Sequence, residues 1–153
     1  MRGGSETPGS PEVLAFTGGG TGGHIYPGLA VADRLRELLS VRGRSVRFVW
    51  LGSTKDSDRA AVEAAGLEFI PIPSGKLRRE LSVENLADAF RVLAGYGASR
   101  RVLSKLRPRL LFSKGGYVSG PPCRAAAALG IPVFTHESDF SPGLATRLNA
   151  GIA

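Results

Sequence analysis

Eight consecutive residues, Thr17-Gly18-Gly19-Gly20-Thr21-Gly22-Gly23-His24, restrict the fold of this chain more than any other stretch. A short apolar run, Val13 to Phe16, leads into them, and a helical pattern from Ile25 to about Val41 leads out. Strand, glycine turn and helix in that order make a phosphate cradle. Glycines let backbone N–H groups approach an anion, and the helix turns its positive end toward the same point. Gly18, Gly20 and Gly23 fit G-x-G-x-x-G, a weak signal alone. With a strand before it and a helix after it, the pattern favours a phosphate-bearing ligand over a merely tight turn.

Downstream, strand-like and helix-like segments keep alternating, which predicts an α/β fold: a Rossmann-like parallel sheet with helices on both faces. Strands are expected at Val13–Phe16, Val46–Leu51, Leu67–Ile72, Leu110–Phe112 and Ile131–Thr135. In the first helix Leu29, Ala32, Leu35 and Leu39 share one face, and Pro27 is placed in the first turn. A short helix is expected from Asp58 to Ala65. A longer one, capped by Ser82 and running to about Leu106, would bury Val83, Leu86, Ala87, Phe90, Leu93 and Ala94, with Gly95 and Gly97 marking a bend. A fourth helix is expected from Arg124 to Leu129. At 153 residues the chain holds one domain, expected over 13–153 behind a Gly-, Ser- and Pro-rich segment, 1–12, that reads as disordered.

Net charge is +7. Between Lys76 and Arg109 nine basic residues face three acidic ones, so this segment carries most of the excess. A local cationic surface suits an anionic partner such as lipid headgroups or phosphates, against the plainer reading of a solvated helix face. Nucleic acid is disfavoured, because no recognition motif accompanies the charge. No apolar run approaches the roughly 18 residues of a membrane span. The single cysteine, Cys123, allows no internal disulfide, fits a reducing compartment and reads as a small buried thiol.

In a parallel sheet the loops after strands one, four and five open on one rim, where ligands bind. His24 stands at a helix start, whose positive end opposes a positive charge and suits a group that accepts a proton. Thr21, Gly22 and Gly23 line the first loop. Gly115, Gly116 and Ser119 in the second could offer N–H and hydroxyl donors to an anion, and Tyr117 could stack on a sugar. His136, Glu137 and Asp139 follow strand five, where a carboxylate can orient or deprotonate a hydroxyl. Neither histidine has a second ligand at i+3 or i+4, so no metal site is expected. The end of strand two reads Leu51-Gly52-Ser53-Thr54, without the acidic residue that holds a dinucleotide ribose, and no Gly-Lys-Ser/Thr closes the first turn as in a P-loop. No cofactor is therefore expected.

Together the loops resemble the MurG family. Gly18 to His24 with Pro27 and Leu29-Ala30-Val31-Ala32 is similar to its first glycine loop. Ser74 to Arg79 is similar to its basic loop, Ser113 to Pro121 to its second glycine loop, and His136-Glu137-Ser138-Asp139 with Pro142-Gly143-Leu144 to its third. Asp139 stands where many members carry asparagine. The resemblance implies the N-terminal, acceptor-binding half of a GT-B glycosyltransferase that moves N-acetylglucosamine from its UDP donor to lipid I, making lipid II for peptidoglycan. A non-catalytic, membrane-associated subunit of a split transferase acting on another lipid acceptor is the alternative. It implies His24 as base, Glu137 beside it, and a lipid-diphosphate acceptor held by both glycine loops. It also implies a membrane patch of Lys76, Leu77, Arg78, Arg79, Leu81 and Phe90 at the cytoplasmic face. The expected partners are that acceptor, an anionic membrane surface and a C-terminal donor domain absent from this sequence, without which no turnover is expected.

Overall fold

A computed structural model describes residues 11–75, 83–136 and 149–151, with 83–87 as backbone only. Its elements are β1 (Glu12–Thr17), α1 (Gly22–Val41), β2 (Val46–Gly52), α2 (Asp56–Ala64), β3 (Glu68–Pro71), α3 (Val83–Leu106), β4 (Leu110–Ser113), α4 (Gly120–Ala128) and β5 (Val133–Thr135). All strand pairs are parallel, in the order β3-β2-β1-β4-β5. The chain walks outward from β1 to β3, then crosses back to β4 and β5. The direction reverses between β1 and β4, where Thr17 pairs with Ser113, so the crevice of a Rossmann-like sheet opens beyond those two residues.

Both faces of the sheet are covered, as its continuous apolar strands require. On one face Leu14, Phe16, Phe48 and Trp50 pack with Ile25, Ala32 and Val62, and Leu29, Leu35 and Leu39 lie against them as expected. Phe16 and Trp50 stack at 5.9 Å between centroids. On the other face Ala15, Val49, Leu51 and Leu111 meet Leu103, Cys123, Ala125 and Ala126. Glu12, assigned above to the N-terminal segment, instead begins β1. Its carboxylate pairs with Arg44, and with Arg109 at 3.0 Å, which ties the starts of three strands together.

Four expectations need correction. α1 begins at Gly22 rather than Ile25, which moves Pro27 into its second turn. α4 begins at Gly120 rather than Arg124, since Pro121 and Pro122 fit a first turn that has no use for their N–H groups. α3 runs through Gly95 without a break. That glycine is there because the Pro73 carbonyl passes where a Cβ would stand. Turning Gly95 inward fixes the rotation of α3, so Tyr96, Val102, Leu103 and Leu106 pack on the core, whereas Phe90 and Leu93 are 65% and 67% exposed. Expectations for residues 1–10, for Lys76–Ser82 and for Glu137–Leu148 lie outside the described residues, as do those for the side chains of Val83, Leu86 and Ala87.

Candidate functional site

The first glycine loop leaves β1 and enters α1 through Thr21, an extended N-cap residue whose hydroxyl makes no capping bond. Gly22, Gly23 and His24 form the first turn. Their N–H groups lack the acceptor four residues back that later turns supply, and only that of His24 folds back, to the Thr21 carbonyl at 3.1 Å. The loop is anchored from β2 and α2. The buried Trp50 indole donates to the Gly18 carbonyl at 3.0 Å. Asp58 Oδ2 accepts from the Gly20 amide at 2.8 Å and from Ser53 Oγ at 2.6 Å, and Lys55 Nζ donates to the Gly20 carbonyl at 2.8 Å. Both sides of Gly20 are thus tied to the segment after β2, so the amide of Gly20 is not available to a ligand.

The second glycine loop comes to meet the first. The Lys114 amide extends the β1–β4 ladder by donating to the Thr17 carbonyl at 2.9 Å. Gly115 and Gly116 then turn the chain at φ +84° and +80°. A Cβ on Gly116 would stand 2.8 Å from the Gly19 carbonyl oxygen and 3.0 Å from His24 Cδ2, and one on Gly20 would run into the Tyr117 ring. The two loops are in van der Waals contact across the switch point.

His24 sits at this junction, half-buried, with Nδ1 3.3 Å from the Lys114 carbonyl oxygen. A carbonyl only accepts, so Nδ1 donates to it, and in the neutral ring this leaves the lone pair on Nε2. That tautomer is the one a general base needs.

The remaining expected residues divide by what their polar groups already do. Thr21, Gly22 and Gly23 are exposed at the rim. Among the described residues the amides of Gly22, Gly23, Gly116 and Tyr117 have no backbone acceptor. The Gly115 amide leans on Ser113 Oγ at 3.3 Å. Ser119, expected as a donor to the anion, is instead fully buried. It donates to the Gly116 carbonyl at 2.8 Å and accepts from Asn149 Nδ2 at 2.9 Å, so it holds the loop from within. Tyr117 lies over Gly20, its ring where a Cβ on that glycine would stand. His136 is exposed beyond β5, its amide on the Ser113 carbonyl at 2.9 Å and its ring 6.4 Å from that of Phe112. Glu137 and Asp139 lie outside the described residues.

Sequence reasoning missed Asp58, Asn149 and Lys114. Asp58 and Asn149 gave no signal, because each acts on a loop distant in sequence. Lys114 lies within the second glycine loop, but nothing in the sequence shows that its side chain is buried. Cys123 behaves as expected, a buried thiol pushed up to about 11 by burial.

A model of the glycosyltransferase family 28 N-terminal domain matches residues 14–153. The chain belongs to this family. Its sequence is 57% identical over 142 residues to the UDP-N-acetylglucosamine–N-acetylmuramyl-(pentapeptide) pyrophosphoryl-undecaprenol N-acetylglucosamine transferase of Treponema pallidum, covering 93% of this chain and 36% of that one. It is 45% identical over 142 residues to the protein of the same name from Staphylococcus carnosus, covering 92% and 38%. The chain therefore spans little more than a third of the curated relatives it matches. The crystal structure of Acinetobacter baumannii MurG superposes with a TM-score of 0.75 at 26% identity, over 94% of this chain and 40% of that one. A UDP-GlcNAc 2-epimerase from Neisseria meningitidis, at 13% identity and a TM-score of 0.60, shares the fold alone. The loops in contact at the switch point thus belong to a family 28 domain, the N-terminal half of a GT-B architecture.

Proposed function

We propose that this domain is the acceptor-binding half of an inverting glycosyltransferase. It would move N-acetylglucosamine from UDP-N-acetylglucosamine to lipid I, the undecaprenyl-diphosphate-linked N-acetylmuramyl peptide, and so make lipid II for peptidoglycan. The observation that carries this reading is the contact between the two glycine loops, with His24 at their junction and its Nδ1 on the Lys114 carbonyl at 3.3 Å. Helix-start amides of Gly22 and Gly23, with those of Gly116 and Tyr117, supply donors for the acceptor diphosphate. His24 Nε2 takes the proton from the acceptor 4-hydroxyl. That oxygen attacks the anomeric carbon of the donor, UDP leaves from the opposite side, and the configuration inverts. Glu137 orients the same hydroxyl or serves as the base in place of His24. The relatives' shared name, which specifies a pyrophosphoryl-undecaprenol acceptor, supports this choice of substrate.

The acceptor's lipid brings the domain to the cytoplasmic face of the membrane. Phe90 and Leu93 stand exposed on α3, and the Lys76–Leu81 segment that precedes this helix carries three of the chain's cations. Apolar side chains inserted among anionic headgroups, flanked by Lys and Arg, bind a surface without spanning it. No helix among the described residues is long and apolar enough to cross a bilayer.

The test is to supply the chain with the donor-binding half of a relative, fused or in trans, and to assay transfer to lipid I. Turnover is expected, with a His24→Ala variant reduced by the 10²–10⁴-fold typical of a lost general base. Full turnover by that variant would remove His24 from the chemistry. Phe90→Ser with Leu93→Ser should lower binding to anionic vesicles without changing turnover of a detergent-soluble acceptor.

A further inference from the structure

Lys114 is among the largest fully buried side chains of the domain, 1% exposed, yet its ammonium has no hydrogen-bond partner among the described residues. Its position is well defined. The amide closes the last rung on Thr17, the carbonyl holds His24, and its Cβ lies 3.2 Å from where a Cβ on Gly18 would stand. Strand alternation puts Leu110, Phe112 and Lys114 on the face that α1 covers, with the Lys114 Cβ beside Gly18 of the first glycine loop.

That location is electrostatically one-sided. The start of α1 already presents the positive end of a helix. Among the described residues the two buried carboxylates are engaged elsewhere: Asp58 by Gly20 and Ser53, Asp88 by Arg91 at 2.9 Å. Neither forms an ion pair with Lys114. Two positive sources with no counter-charge among the described residues, one of them buried, are unfavourable until an anion joins them.

We propose that Lys114 is a substrate-binding residue. It supplies the fixed charge that selects the acceptor diphosphate, while the amides of Gly22, Gly23, Gly116 and Tyr117 supply direction. The inference rests on the acceptor reading given above. It adds that anion affinity in this domain is bought with fold stability. Removing the charge while keeping the stem should therefore stabilise the empty protein and weaken anion binding together. A lysine serving only to fill the core would not couple the two.

The experiment uses the 153-residue chain, inorganic pyrophosphate as probe, and the variants Lys114→Met and Lys114→Gln. Calorimetric titration at low ionic strength should show pyrophosphate bound by the parent chain and bound at least tenfold more weakly by both variants. Lys114→Met should also melt at a higher temperature than the parent without ligand. Unchanged affinity in the variants, no binding by the parent, or failure of Lys114→Met to fold as stably as the parent would overturn the proposal. In the reconstituted transferase, Lys114→Met should raise the KM for the lipid acceptor at least tenfold and leave the KM for the UDP-sugar unchanged; a rise confined to the nucleotide sugar would overturn the assignment to the acceptor. If the reconstituted parent transfers no sugar while pyrophosphate binding still depends on Lys114, the function fails and the anion site stands. If transfer proceeds and Lys114→Met matches the parent, the reverse holds.

Discussion

Replacing Gly116 with alanine tests the contact between the loops directly. Two terms add. At φ +80° an L-residue is in the left-handed region, which costs about 1–2 kcal/mol. The new Cβ would also stand 2.8 Å from the Gly19 carbonyl oxygen and 3.0 Å from His24 Cδ2, so backbone on one side and the imidazole on the other must move. Overpacking of that kind costs about 1–3 kcal/mol. The sum is a loss of about 2–5 kcal/mol. Gly43→Ala is the control. Gly43 has φ +67° but nothing within 4 Å of the new methyl, so only the conformational term of about 1–2 kcal/mol applies. Urea unfolding of both variants, with unchanged slopes, separates the contact from the backbone term. In the reconstituted enzyme Gly116→Ala should also lose turnover, on the order of 10²-fold if His24 shifts by an ångström, whereas Gly43→Ala should keep it. Equal stability losses, or full activity in Gly116→Ala, would refute the claim that the second loop sets the position of His24.

Other consequences can be measured on the same protein. Trp50→Phe removes the donor to the buried Gly18 carbonyl and should destabilise by about 1–3 kcal/mol in denaturant titration. Asp58→Asn keeps the shape but replaces an oxygen that accepts from both Gly20 and Ser53; amide exchange should quicken at Gly20 before it quickens in the β1–β2 ladder. Cys123 should resist thiol reagents at pH 8 until the protein unfolds. Burial lifts its thiol from 9.0 to about 11, so the unfolded chain gives up the proton first. Its contribution to stability is whole below pH 9 and is lost as pH rises toward 11, by on the order of a few kcal/mol; Cys123→Ala should flatten the alkaline limb of a pH–stability profile.

The sequence by itself determined the alternation of strands and helices, the two glycine turns, and His24 at a helix start. These are local properties: apolar runs of strand length, 3.6-residue periodicity, and glycines where backbone must pass close. Leu29, Ala32, Leu35 and Leu39 could be assigned to the core because a helix face is written in its own spacing. The rotation of α3 could not be read that way. Phe90 and Leu93 form as good an apolar stripe as Tyr96 and Leu103, and only the passage of the Pro73 carbonyl at Gly95 decides which stripe faces inward. Tertiary structure likewise decided which groups of the glycine loops remain open to a ligand. The Gly20 amide and the Ser119 hydroxyl look available in sequence, but the first donates to Asp58, remote along the chain, and the second donates to the Gly116 carbonyl while accepting from the equally remote Asn149. Lys114 carries the same lesson in reverse: a lysine after a strand is ordinarily a solvated one, and it takes the closing of β4 against β1 under the start of α1 to bury its charge.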